Sequence, residues 1–267
     1  MASSTRPASS PGPTEPAEGA RAVEVFSSFQ GEGPHVARRH IFVRLAGCNL
    51  RCLYCDTPES LAAAPPEARV EERPGTQSFR KLDNPLSLDG VAEAIRRLAR
   101  EPHDAVSLTG GEPLLQADFI GRIAPLIREM GLGVYLETNG TLPDRLAEVI
   151  SGMDTIAMDI KLPQTLHDGR DWFEEHARSL RIALAAPEVF CKLVLPAGPD
   201  LEQIGRAARM VAEVSRRVLL VIQPVTPFGA VNAAPDQDDI RRACETARRY
   251  LDGVRVIPQM HKAMGLP

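Results

Sequence analysis

Three cysteines, Cys48, Cys52 and Cys55, stand at a CxxxCxxC spacing in RLAGCNLRCLYCDTP, on a loop that contains Gly and Asn and follows an apolar run. A closed zinc site takes four protein ligands, and His35 is a residue that could complete one. Three thiolates on such a loop also suit an iron–sulfur cube, in which each sulfur holds one iron and the fourth iron stays free for another ligand. Further on, TGGEP (109–113) places Gly110 and Gly111 directly after a second apolar run. Two glycines there let backbone amides and carbonyls approach a ligand, and the carboxylate of Glu112 can accept from an amine. The remaining unusual polar residues also close apolar runs: Glu137 and Asn139 in ETNG, Asp159 and Lys161 around TIAMDI, and Gln223 at the end of VLLVI. Cys191 and Cys244 read instead as a core strand residue and a helix residue.

The elements that must position these groups alternate between short apolar runs and longer amphipathic stretches. Strands are expected at 22–26, 40–46, 105–109, 133–138, 155–160, 189–195, 218–224 and 254–258. Between Asp200 and Val218 the apolar residues Leu201, Ile204, Ala208, Val211 and Val214 recur at threes and fours, which makes one buried helical stripe. Ser87 and Asp200 occupy N-cap positions ahead of periodic runs. Strand then helix, repeated about six times, implies parallel strands and an α/β fold, best matched by a partial (β/α)6 barrel. In such architectures chemistry gathers at the carboxyl ends of strands, where all the residues above would meet on one rim. Residues 57–86 carry PP, RPG and DNP and read as a loop or insertion.

Composition sets outer limits. The 267 residues are 43% hydrophobic, ordinary for one large globular domain, and a net charge of −4 does not favour a nucleic-acid partner. The pairs Arg216, Arg217 and Arg241, Arg242 read as solvated helix faces. Five cysteines, odd in number and three of them crowded, argue against a secreted disulfide framework and for a reducing compartment. No secretory signal and no apolar run of spanning length is present, so a cytoplasmic protein without membrane contact is expected. Residues 1–21, rich in Ser, Pro, Ala and Gly, are expected to be a disordered tail, leaving 22–267 as a single domain. Trp172 and Phe173 read as core or dimer-contact residues.

CNLRCLYC followed by TGGEP resembles the radical S-adenosylmethionine (SAM) superfamily, whose 4Fe-4S cluster uses its free iron to chelate SAM. Within it, SSFQGEGPHVARRHIFVRLAGCNLRCLYCDTP, TGGEPLLQ, LETNGT, the Asp-Ile-Lys of 159–161 and PQMHKAMGLP resemble the 7-carboxy-7-deazaguanine synthases of queuosine-type 7-deazapurine biosynthesis. The resemblance implies conversion of 6-carboxy-5,6,7,8-tetrahydropterin to 7-carboxy-7-deazaguanine with loss of ammonia, through hydrogen abstraction at C6 and ring contraction. It implies that Cys48, Cys52 and Cys55 hold the cluster and that Thr57 ligates Mg2+. SAM would meet Tyr54, Asp56, Gly110, Gly111, Glu112, Glu137, Asn139, Asp159, Lys161 and Gln223. The pterin would meet Phe29, Gln30, Gly31, Glu32, Arg44, Thr109, His261 and the terminal carboxylate of Pro267. A donor-rich guanidine edge suits Glu32 and that terminal carboxylate, and an acid group suits Arg44 as a bidentate donor. A homodimer and a flavodoxin- or ferredoxin-type electron donor are further implications.

Two stretches depart from that family pattern: the acidic, Pro-rich segment 59–85, and the N-terminal leader. Two other readings compete. A glycyl-radical enzyme activase shares the cysteine triad and the GGE but has no use for QGEG. A zinc-bound or iron–sulfur module that only recruits a partner would carry the cysteines without the rest.

Overall fold

The computed structural model describes residues 19–266. Residues 1–18 of the expected tail, and Pro267, lie outside them. In chain order the strands and helices are β1 (Gly19–Ala20), β2 (Ala22–Phe29), β3 (Arg39–Leu45), β4 (Glu67–Glu71), β5 (Phe79–Asp83), β6 (Leu86–Ser87), α1 (Leu88–Leu98), β7 (Ala105–Gly110), α2 (Ala117–Glu129), β8 (Gly133–Thr138), α3 (Pro143–Val149), β9 (Thr155–Asp159), α4 (Phe173–Ala183), β10 (Glu188–Leu195), α5 (Leu201–Val214), β11 (Leu219–Pro224), α6 (Gln237–Arg248), β12 (Val254–Val256) and α7 (Met260–Met264).

One sheet runs in the order β12-β11-β10-β9-β8-β7-β3-β2-β4-β5. From β3 through β12 every neighbouring pair is parallel. Helices connect these strands, the arrangement that parallel pairing requires. β12 and β5 occupy opposite edges, so the partial (β/α)6 barrel is not closed. β2 runs antiparallel to β3 and returns the chain through residues 30–38.

Two expectations are refined here. Residues 57–86, expected as a loop or insertion, include two further strands of the sheet: β4 pairs parallel with β2, and β5 pairs antiparallel with β4, extending the sheet by a hairpin. Its strands EARVE and FRKLD are too charged to read as buried strands, because one face of an edge hairpin meets solvent. Residues 19–20, placed in the tail, pair as β1 with β6, and Ala20 is fully buried.

The strand period of two divides the side chains between two environments. Ile41, Val43 and Leu45 of β3, Val106 and Leu108 of β7, and Cys191, Leu193 and Leu195 of β10 face outward into one large core under the helices. Helices α1 to α6 each bury apolar residues there; α1, for instance, contributes Val91, Ala92, Ala94, Ile95 and Leu98. Ser87 caps α1 by accepting from the Gly90 amide, and Asp200 caps α5 by accepting from Glu202 and Gln203. The inward residues form a smaller cluster of Ala105, Tyr135, Ala157, Phe190 and Val221. Farther along the same strands the inward residues turn polar.

Candidate active site

Those polar positions line a cavity of about 260 Å³. Its walls include Phe29, Gln30, Gly31, Glu32, Arg44, Cys48, Cys52, Tyr54, Cys55, Asp56, Thr57, Thr109, Gly110, Gly111, Glu137, Asn139, Asp159, Lys161, Gln223 and His261. The structure therefore brings together every sequence-derived site residue except Glu112 and Pro267, the latter being outside the described residues.

Glu112 is fully buried but does not line the cavity. Its carboxylate accepts from the Leu114 amide at 3.0 Å, the Thr138 hydroxyl at 2.9 Å and the Asn139 amide at 2.7 Å. It ties the TGGEP turn to the ETNG strand end. Burial pushes its pKa up to about 7, against the pull of those donors. The two glycines also answer mainly to the chain itself. A Cβ on Gly110, where φ is +141°, would lie 2.0 Å from the Leu45 carbonyl oxygen. One on Gly111 would lie 2.3 Å from the Gly47 oxygen and 2.8 Å from Cys48 Cβ. Only glycine lets this turn press against the cysteine loop.

At that end of the cavity the three cysteines are free thiols. Burial pushes the Cys48 and Cys52 thiols up, so metal loading must displace their protons. The Leu50 amide donates to Cys48 Sγ at 3.4 Å, the kind of bond that tunes a thiolate ligand. His35 is elsewhere: its Nε2 bonds Glu188 at 2.8 Å and its ring packs beside Tyr135. The residue weighed as a fourth zinc ligand is thus not at the cysteines. A three-thiolate set facing a cavity fits a cluster with one open iron. Behind it, Tyr54 accepts from Lys161 Nζ at 3.1 Å, and Lys161 also pairs with Asp159 at 2.9 Å. Burial would lower the Lys161 pKa, but Asp159 and its neighbours hold it well above the ordinary lysine value.

At the other end lies the turn Gln30-Gly31-Glu32. Gln30 donates to Glu137 Oε1 at 2.9 Å, and Thr109 donates to Glu137 Oε2 at 2.8 Å. Glu137 is thereby tied to the turn within the cavity it shares with the cysteines, and burial raises its pKa. Gln223 likewise donates to Glu32, at 2.9 Å. Lys192 forms an ion pair with Glu32 and stands 3.3 Å from Asp159. Burial acts to raise the Glu32 pKa, yet Lys192, with Gln259 and His261, outweighs it and together they hold Glu32 at about 2. Gly31 has no room for a side chain, since a Cβ would meet His261 Nδ1 at 2.1 Å. Burial lowers the His261 pKa.

Lys192 and Gln259 were missed by sequence reasoning. Lys192 had a signal: in VFCKLVL a lysine shares the inward parity of Phe190 and Val194, and a largely buried strand lysine requires partners. Gln259 had none. Its Nε2 lies 3.0 Å from Glu32 Oε1 and 3.3 Å from Asp56 Oδ2, so one amide links the QGEG turn to the cysteine loop. Lys262 pairs with Asp56 as well, at 3.1 Å.

The profile described as Radical SAM superfamily matches residues 43–211. The chain is 42% identical over 250 residues to a 7-carboxy-7-deazaguanine synthase of Geobacter sulfurreducens, covering 92% of this chain and 98% of that one. It is 34% identical over 252 residues to a protein of the same name from Methanocaldococcus jannaschii, covering 91% and 98%. Among solved structures, QueE from Escherichia coli superposes with a TM-score of 0.59 at 20% identity, over 91% of this chain and 94% of that chain. TYW1 with a lysine–pyruvate adduct follows with a TM-score of 0.54 at 14% identity, over 81% and 75%. At such identities the two structures speak for the fold alone.

Proposed function

The chain belongs to the radical SAM superfamily and, within it, to the 7-carboxy-7-deazaguanine synthases, and on that premise we propose how its cavity turns 6-carboxy-5,6,7,8-tetrahydropterin into 7-carboxy-7-deazaguanine. One observation carries the assignment of roles. The QGEG turn and the three free cysteines, far apart in purpose, share a single cavity of about 260 Å³. The relatives lend no support to a glycyl-radical activase.

A 4Fe-4S cluster held by Cys48, Cys52 and Cys55 would reduce SAM and so supply the 5′-deoxyadenosyl radical that takes hydrogen from C6. The chain's own residues bind, orient and shield. Asp159, Lys161 and Tyr54 brace the cysteine loop from behind, while Gly110, Gly111 and Asn139 line the side on which SAM would lie. Glu32, anionic at neutral pH, accepts from the guanidine edge of the pterin. Arg44 meets the substrate carboxylate. Its Nε is held by Glu24 at 2.9 Å, while its terminal nitrogens carry no partner among the described residues. Glu137, whose pKa burial raises, sits between Gln30 and Thr109 and is suited to exchange a proton with the ring as nitrogen is lost. Phe26, Phe42, Tyr135 and Phe190 give the cavity apolar walls that exclude water.

Magnesium prefers hard oxygen ligands and keeps most of its water, so Thr57 would hold it by one hydroxyl together with substrate oxygens and water. The reading extends to a cytoplasmic homodimer that does not contact membranes or nucleic acid and is reduced by a flavodoxin- or ferredoxin-type carrier. Among the described residues no helix is long and apolar enough to cross a membrane.

The test is an anaerobic assay of the reconstituted protein with dithionite, SAM, magnesium and the tetrahydropterin, following ammonia and product mass. Deazaguanine formation with little net SAM consumption is expected. Cleavage of SAM without product would leave the radical chemistry standing and remove the pterin assignment.

A further inference from the structure

Three neighbouring strands, β3, β2 and β4, carry Arg44, Glu24 and Arg69 side by side in register. Glu24 Oε1 accepts from Arg44 Nε at 2.9 Å, and Glu24 Oε2 accepts from Arg69 Nη2 at 2.5 Å. The central carboxylate is 8% exposed, Arg44 is 15% exposed and Arg69 is 51% exposed. Charges therefore alternate from the cavity wall outward: plus, minus, plus. Arg44 lies over the Phe26 ring at 5.7 Å and Arg69 over the Phe79 ring at 5.3 Å, which keeps both guanidinium planes on this line.

A lone Glu24–Arg44 pair would be neutral and would compete with any incoming anion for Arg44. A second arginine on the far oxygen of Glu24 changes both facts. It leaves the row with one net positive charge, and it divides the demand of the carboxylate between two cations. The hairpin that delivers Arg69 is itself anchored. Buried Glu71 accepts from the Ser27 amide at 2.8 Å and the Gln77 amide at 2.8 Å, and its carbonyl accepts from Arg97 at 3.1 Å.

We propose that Arg69, on the β4–β5 hairpin, is a positioning residue for substrate carboxylate recognition, acting through Glu24 to hold Arg44 aimed. This rests on the reading of Arg44 as the partner of that carboxylate. The hairpin then does more than widen the sheet: it sets how strongly the cavity prefers a carboxylated pterin to a bare one.

The preference is measured by equilibrium dialysis of the anaerobically reconstituted, SAM-bound protein against 6-carboxypterin and against pterin. Arg69→Met should cut the affinity ratio about threefold to tenfold, leave pterin binding unchanged and lose much of its effect at high salt. Arg69→Lys, which keeps the charge without the fork, should restore part of the ratio. An unchanged ratio in Arg69→Met beside a collapsed ratio in Arg44→Met overturns the proposal and leaves the Arg44 reading intact. Equal weakening of both ligands in Arg69→Met also overturns it, since that marks a merely structural role. A ratio that survives Arg44→Met removes the underlying reading, and the proposal with it.

Discussion

Replacing Lys192 by methionine keeps the volume and removes the charge that holds two carboxylates in the cavity wall. Glu32 sits at about 2 instead of its ordinary 4.5. At about 1.4 kcal/mol for each pH unit, that difference corresponds to about 3 kcal/mol favouring the ionised form. The Glu32 side chain is 20% exposed, so solvent trims the figure, while Asp159 loses part of its own pairing. The expected cost near pH 7 is about 2–4 kcal/mol, or roughly 5–10 °C in the unfolding midpoint of a domain this size. The pH dependence is the sharper signature. In the native protein Glu32 is depressed, so its contribution is present above about pH 4.5 and is lost as pH falls toward 2. Lys192, itself raised, contributes fully below its ordinary 10.5. In Lys192→Met, burial is opposed only by Gln259 and His261 and raises the Glu32 pKa, so acid relieves the variant above about pH 4.5 and weakens the parent only below it. The stability gap should therefore narrow between about pH 7 and pH 4.5. Urea unfolding of the reconstituted proteins, followed by far-ultraviolet circular dichroism across that range, measures it. A gap that stays constant would refute the electrostatic account and leave Lys192 as a packing residue.

Cys52→Ala should abolish turnover and bleach the cluster absorbance after anaerobic reconstitution, and an active, fully coloured variant would sink the three-thiolate assignment. Gly111→Ala drives a Cβ to 2.3 Å from the Gly47 oxygen, so it should lower iron loading and cost about 1–3 kcal/mol. Gly121→Ala, whose nearest neighbour would be at 3.9 Å inside α2, should load normally and gain up to about 1 kcal/mol. Gln259→Leu removes the amide shared by Glu32 and Asp56 and should raise KM for the pterin about threefold to tenfold, with an unfolding midpoint close to the parent's. Thr57→Val should raise the magnesium concentration needed for half-maximal rate, and an unchanged titration would remove Thr57 from the metal site.

How far this could be read before folding depended on how each residue is used. Strands of the inner sheet, such as GVYLET and VFCKLVL, are buried on both faces and stand out as apolar runs, so all eight appear within a few residues of expectation. β4 and β5 do not, because Ala68 and Val70 bury only one face and charged residues take the other. The direction of β2 was equally hidden: hydrophobic periodicity is the same for a parallel and an antiparallel neighbour. Strand-end residues such as Cys48, Thr109 and Asp159 were legible as a rim, but which end of the cavity each serves was not. Glu137 and Gln223 are expected beside SAM, and the sequence gives no hint of their hydrogen bonds to Gln30, Thr109 and Glu32. Such partnerships cross between strands distant in sequence, where spacing says nothing.

The alternation along the inner strands has an evolutionary reading. In β10 the odd positions Cys191, Leu193 and Leu195 answer to the helices, and the even positions Phe190, Lys192 and Val194 answer to the cavity. The same parity holds in β3, with Ile41, Val43 and Leu45 set against Phe42 and Arg44. Mutations that reshape what the cavity accepts thus fall on residues that hardly touch the helix layer, and mutations that shore up the layer fall on residues the ligand never meets. A lineage built on these strands can drift in substrate while its tolerance to heat is tuned separately, one residue out of phase.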